Sequence, residues 1–103
     1  MHYVFVALDR VHEELGTGHV VRVSRILDSM CSQDSPFKDF TIQLFSNNLA
    51  AIQKFSGSYV EDVKTAQQLI STYIDYQKVD VIFFDCLDYF SDIYEECNSK
   101  NII

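Results

Sequence analysis

The segment Gly16-Thr17-Gly18-His19 places a titratable ring directly after a glycine-containing turn, and Arg22 follows three positions later. Glycines allow a phosphate or a sugar to approach the backbone, and a helix that begins here offers unpaired N–H groups. The positive end of that helix disfavours an imidazolium ion. We therefore expect a neutral His19 that accepts a proton as a general base, with Arg22 on the same side to hold an anion or an acidic partner.

The spacing around the glycines excludes two common nucleotide motifs. Residue 21 is Val, so the segment is not a dinucleotide-binding GxGxxG, and no Gly-Lys-Ser/Thr follows it, so it is not a P-loop. A glycine turn that only caps a helix, with Thr17 as the N-cap and an exposed histidine, fits the same residues equally well.

Asp85 is a second candidate, because it directly follows the segment Val79–Phe84, which is apolar apart from Asp80 and is expected to be a buried strand. It can orient His19 or bind a substrate hydroxyl across a crevice, or it can simply cap the next helix. Asp85 and Asp88 on one turn are too few ligands to indicate a metal site, and the sequence predicts neither a metal nor a cofactor.

The pattern of apolar residues predicts the elements that position these side chains. The run Tyr3–Leu8 has no polar alternation, which is typical of a strand buried on both faces of a parallel sheet. The expected strands are 3–8, 40–45, a short edge strand at 59–60, and 79–84, with the start of another strand at 101–103. The expected helices are 19–30, a short one from Asn47 or Asn48 to Phe55, 61–76, and a last one marked by Leu87 to Cys97.

This order predicts an α/β fold, an open doubly wound parallel sheet of three to four strands in the order 3-2-1-4, flanked by helices. We expect residues 1–103 to form a single Rossmann-like domain, with its ligand crevice at the carboxyl ends of strands 3–8 and 79–84. One sheet edge would be bare, so we expect the unit to be incomplete at its C-terminus or covered by a partner.

The composition argues against several kinds of partner and cellular location. The net charge is −7, from 15 acidic and 8 basic residues, and no basic stripe is present, which argues against nucleic acid and anionic membranes as partners. No apolar run approaches the ~20 residues of a transmembrane helix. The three cysteines are odd in number and form no CxxC pair, which favours free thiols in a reducing, cytoplasmic compartment.

The segment Leu15-Gly-Thr-Gly-His-Val20 with Arg22, placed between a strand and a helix, resembles the nucleotide-sugar hydrolases of pseudaminic acid synthesis and the related spore-coat polysaccharide proteins. Both have the two-Rossmann-domain architecture of B-type glycosyltransferases. The run Val79–Asp85 is similar to that family's buried strand ending in an aspartate. Where the family has Arg-Ala-Asp after its first strand, this chain has Ala7-Leu8-Asp9.

The resemblance implies that this chain is the sugar- or acceptor-side N-terminal part of a nucleotide-sugar hydrolase or glycosyltransferase. It implies a catalytic role for His19, which would position or activate water, and it adds Asp9 to the candidates. The nucleotide site would come mostly from a second domain or subunit, so we expect little activity from this chain alone. The alternative is a non-catalytic Rossmann-like module that dimerises through its open sheet edge or last helix. The full set of predicted substrate-binding residues is Gly16, Thr17, Gly18, Arg22, Asp9 and Asp85.

Overall fold

Strands and helices alternate along the parts of the chain that the computed structural model describes, which are residues 1–9, 18–32, 40–61, 63–85 and 91–103. In chain order these elements are β1 (His2–Ala7), α1 (His19–Met30), β2 (Thr41–Ser46), α2 (Leu49–Phe55), β3 (Ser58–Tyr59), α3 (Val63–Tyr76), β4 (Val81–Asp85) and α4 (Ser91–Ser99). The predicted residues Gly16, Thr17, Leu87 and Asp88 lie outside the described ranges.

The four strands form one parallel sheet in the order β3-β2-β1-β4, which confirms the predicted α/β fold and strand order. β1 is central, and Phe5 pairs with Leu44 of β2 on one side and with Phe83 of β4 on the other. The observed strands β2 and β4 begin one and two residues later than predicted, since Thr41 and Val81 are their first paired residues.

Side chains of β1 alternate between two apolar layers, as the pleat of a strand requires. Val4, Val6 and Leu8 pack in a cluster with residues of α3 and α4. Phe5 and Ala7 pack in a second cluster with residues of α1 and α2. Helices therefore cover both faces of the sheet, which explains why β1 is apolar on both faces from Val4 onward.

Helix α1 carries the predicted apolar stripe. Val20, Val23, Leu27 and Met30 recur at helical spacing and are all buried against the sheet. Leu27 is fully buried, and burial of a side chain of this size stabilises a fold by roughly 1.5–3 kcal/mol. This stripe fixes the rotation of α1, and with it the direction in which the first turn of the helix faces.

Residues 101–103 adopt part of the predicted strand arrangement. Asn101 has a left-handed backbone (φ 58°), and the N–H of Ile102 donates to the carbonyl of Cys97 at 2.8 Å, which ends α4. The N–H of Ile103 then donates to Asp80 O at 3.1 Å, and Ile103 O accepts from the N–H of Ile82 at 3.0 Å. This exchange is the bonding of a parallel pair along the edge of β4 that faces away from β1.

The turn from α2 into β3 requires a glycine because of a close backbone approach. A Cβ atom on Gly57 would lie 2.8 Å from the carbonyl oxygen of Leu44 and 3.1 Å from its Cβ. The preceding Ser56 ends α2 in the left-handed region with φ 54°. Position 57 therefore needs glycine because a side chain does not fit, whereas position 56 would tolerate glycine because its backbone is left-handed.

We expect Gly57→Ala to lower the free energy of unfolding by about 1–3 kcal/mol, because the added methyl overlaps the backbone of β2. Ser56→Gly is the matched control, and the loss of left-handed strain should offset its entropic cost to within about 1 kcal/mol. Urea denaturation measures both values. Equal effects of the two substitutions would contradict the close approach at Gly57.

At the amino end of the sheet, the side chains of His2 in β1 and Tyr73 in α3 are in contact. The Tyr73 hydroxyl and His2 Nε2 lie 2.5 Å apart, and the two rings stack with centroids 5.5 Å apart. The backbone N–H of His2 donates to Asp80 Oδ2 at 2.7 Å. Burial lowers the pKa of His2 below its ordinary value of 6.5, against the opposing effect of Asp80.

This lowered pKa predicts a loss of stability in mild acid. The unfolded chain takes up the proton first, so the stabilisation is present above about pH 6.5 and is lost as the pH falls below it. Urea denaturation between about pH 8 and pH 5 should show a decline that is smaller in His2→Gln. Parallel declines in the two proteins would contradict this assignment, since all other titrating groups are the same.

Candidate functional site

The candidate site lies where the carboxyl ends of β1, β2 and β4 meet. Ala7 pairs with Ser46 of β2 and with Asp85 of β4, so these three strands end side by side. Asp9 and Asn47 follow the ends of β1 and β2. The predicted juxtaposition of the first and last strands of this sheet is therefore confirmed, and α1 begins beside it.

Pairing register places the carboxylate of Asp85 on the side of the sheet that α1 covers. Phe83, two residues earlier and on the same face, stacks at a tilt on Phe5 of the α1 layer with ring centroids 5.8 Å apart. Asp85 then reaches the first turn of α1, where its Oδ1 lies 2.6 Å from Nδ1 of His19. Of the three roles predicted for Asp85, this contact fits the one in which it orients His19.

His19 is the first residue of α1 and is only 6% exposed. Nδ1 lies 2.6 Å from Asp85 Oδ1 and 3.0 Å from Arg22 Nη2. We assign the proton to Nδ1, because the shorter contact is to a carboxylate oxygen, which can only accept. A neutral ring with its proton on Nδ1 keeps a lone pair on Nε2. That Nε2 atom is buried and has no hydrogen-bond partner within the described part of the chain, which is unusual for a buried polar atom.

Arg22 lies one turn along α1 and also binds Asp85. Its Nε donates to Oδ2 at 2.9 Å and its Nη2 donates to Oδ1 at 2.8 Å, a two-pronged contact. This hydrogen bonding from Arg22 lowers the pKa of the Asp85 carboxyl, which partial burial opposes and His19 reinforces. Asp85 in turn raises the pKa of Arg22. The acidic partner predicted for Arg22 is therefore found within this chain.

Asp9 caps the start of α1. Its Oδ1 accepts from the backbone N–H of His19 at 3.0 Å and of Val20 at 3.3 Å. Gly18 is the N-cap residue, with a left-handed backbone (φ 101°) that suits glycine and no side chain to contribute. The first two N–H groups of α1, which the glycine segment was expected to offer to a ligand, are thus bonded to a carboxylate of the same chain.

Sequence reasoning missed the role of Asn47. Its Oδ1 accepts from the N–H of Asp9 at 3.1 Å, and its Nδ2 donates to the carbonyl of Asp9 at 2.7 Å. The neighbouring Asn48 is the residue that caps α2, by accepting from the N–H of Ala51 at 3.0 Å. The signal that marks Asn47 is its place directly after the end of β2, in line with the other polar strand ends.

The arrangement combines an ionised carboxylate, a guanidinium and an imidazole whose free nitrogen is shielded from water. Asp85 can fix the ring and stabilise a positive charge on it, while Nε2 can take a proton from a bound oxygen atom. Within the described ranges, no group of three His, Cys, Asp or Glu side chains is arranged to hold a metal ion. The chemistry that this geometry fits is general base catalysis.

No protein-family model matches the chain, and no curated protein or solved structure matches it significantly. Among the helices that the structure describes, none combines the length and the apolar character needed to cross a membrane.

Proposed function

We propose that this chain is the N-terminal, sugar- or acceptor-side part of a nucleotide-sugar hydrolase or glycosyltransferase, with His19 as its general base. The single observation that carries the proposal is the pairing of His19 Nδ1 with Asp85 at 2.6 Å while the buried Nε2 has no partner among the described residues. A base needs this combination, because the carboxylate fixes the ring and leaves the second nitrogen unbonded.

In hydrolysis, Nε2 of His19 takes a proton from water as the water oxygen bonds to the sugar carbon that carries the phosphate. The bond between that carbon and the phosphate oxygen breaks, and the nucleoside diphosphate leaves with the electron pair. In transfer, a hydroxyl group of an acceptor replaces the water. Asp85, whose pKa is lowered, stays ionised and stabilises the imidazolium that forms.

The charges of the site favour a division of labour with a second domain or subunit. The start of α1 is bonded to the Asp9 carboxylate, and Asp85 occupies two donors of Arg22. These carboxylates would repel a diphosphate, whereas they would not repel a neutral sugar or an acceptor hydroxyl. This supports placing the sugar or the acceptor beside His19 and assigning most of the nucleotide contacts to another part of the enzyme.

The test is release of UDP from a panel of UDP-sugars, with and without acceptor sugars. We expect little turnover from this chain alone and measurable turnover once the protein encoded by the adjacent reading frame is added. His19→Gln should then lower kcat by about 10²–10⁴-fold with little change in KM, since it removes proton transfer and not binding.

His2→Gln is the matched control, because it replaces an imidazole at the opposite end of β1 and should leave kcat unchanged. Turnover that persists in His19→Gln would contradict a base at this position. Brisk turnover by this chain alone would instead contradict the need for a second domain or subunit.

A second candidate function is a non-catalytic module that dimerises along β4 and α4, and a specific surface favours it. An apolar cavity of about 270 Å³ lies beside β4, lined by Ile82, Cys97, Asn98 and Ile102 among others. On the opposite face of the same strand, Phe83 is 42% exposed. Exposed apolar surface on both faces of one strand is of the kind that another chain covers.

For this second function we expect a dimer by light scattering that Asn98→Arg disrupts, because the new charge enters the apolar cavity. Gln68→Arg, on the exposed face of α3, should leave the dimer intact. A monomer at all concentrations, or a dimer unaffected by Asn98→Arg, would contradict an interface at this edge.

A further inference from the structure

Asn47 makes the only side-chain contact, among the described residues, that continues the β1–β2 pairing beyond the last ladder pair. Ala7 and Ser46 are the last paired residues of the two strands. Two residues past Ala7, the Asn47 amide bonds both the N–H and the carbonyl of Asp9. One side chain thus replaces the neighbouring peptide group that the separating strands no longer supply.

A continuous path of hydrogen bonds connects Asn47 to the candidate base. Asn47 holds the backbone of Asp9, and the Asp9 carboxylate holds the N–H groups of His19 and Val20. The ring of His19 then meets Asp85. The path closes through the N–H of Leu8, which donates to the carbonyl of Asp85 at 3.4 Å.

We propose that Asn47 is a positioning residue for His19, acting through Asp9. The imidazole is set from two directions, since Asp9 fixes the backbone at the start of α1 and Asp85 fixes Nδ1. If Asn47 is removed, the backbone of Asp9 gains freedom, its carboxylate moves relative to α1, and the distance from His19 to Asp85 is no longer set. The catalytic consequence rests on the proposed function, whereas the effect on the ring does not.

Asn48 provides a matched control for this inference. It is the adjacent residue, it has the same side chain, and its amide also bonds a backbone N–H, that of Ala51 at the start of α2. Asn48→Ala therefore removes the side-chain cap of α2 and leaves every hydrogen bond of Asp9 in place. A purely structural role of Asn47 would make the two alanine variants alike at His19.

The ring itself supplies the first measurement. Long-range ¹H–¹⁵N correlation spectra of the full chain report which imidazole nitrogen carries the proton, and exchange with water reports how well that proton is held. We expect the Nδ1–H form of His19 in the unaltered protein and in Asn48→Ala. In Asn47→Ala, exchange of this proton should be about tenfold faster, with a growing share of the Nε2–H form.

Asn47→Asp is the second variant, in case the alanine variant does not fold. It keeps an acceptor for the N–H of Asp9 but loses the donor to the Asp9 carbonyl, and a thermal melt verifies that it folds. We expect faster exchange at His19 here as well. In the UDP-sugar assay, both Asn47 variants should lower kcat by about tenfold to a hundredfold with little change in KM.

The outcomes separate the two proposals. An unchanged His19 ring in the Asn47 variants, or an equal change in Asn48→Ala, would overturn the positioning role whatever the activity. A changed ring in the Asn47 variants only, without UDP-sugar turnover in any combination, would support the positioning role and overturn the proposed function.

Discussion

Everything at the candidate site depends on the parallel pairing of β1 with β4. The pairing of Ala7 with Asp85 brings a residue from late in the chain to the first turn of α1. Because side chains alternate along a strand, a shift of one residue would turn Asp85 to the face of α3 and α4. The two apolar layers prevent such a shift, since it would also move Phe84 and Ile82 out of the layer they pack against.

Burial and charge act together on His19. A buried imidazole normally has both nitrogens bonded, and an unpaired polar atom in the interior costs about 1–3 kcal/mol. Only one nitrogen of His19 is bonded within the described part of the chain, so the unbonded Nε2 lowers the free energy of unfolding. A buried polar atom without a partner is uncommon, and such atoms call for an explanation such as a bound ligand or a catalytic role.

The sequence predicts the framework well and the local bonding less well. The apolar run of β1, the stripe of α1 and the order of elements suffice for the sheet order, because each is a periodic signal that burial imposes on many residues at once. The proximity of Asp85 to His19 follows from that order. The hydrogen bonds of Asp9 to α1 and of Asn47 to Asp9 could not be predicted in this way. Each joins one side chain to a backbone group many residues away, and such a contact leaves no periodic pattern in the sequence.

The central place of the first strand has a consequence for how the protein reaches its native state. β1 leaves the ribosome before any of its neighbours, yet Tyr3 pairs with Val81. The side chains of Val4, Val6 and Leu8 are covered only when α3 and α4 are present. During synthesis, the apolar residues of β1 therefore stay exposed until α3, β4 and α4 have followed. Such non-local pairing slows folding, and it leaves a hydrophobic segment exposed to chaperones or to other nascent chains.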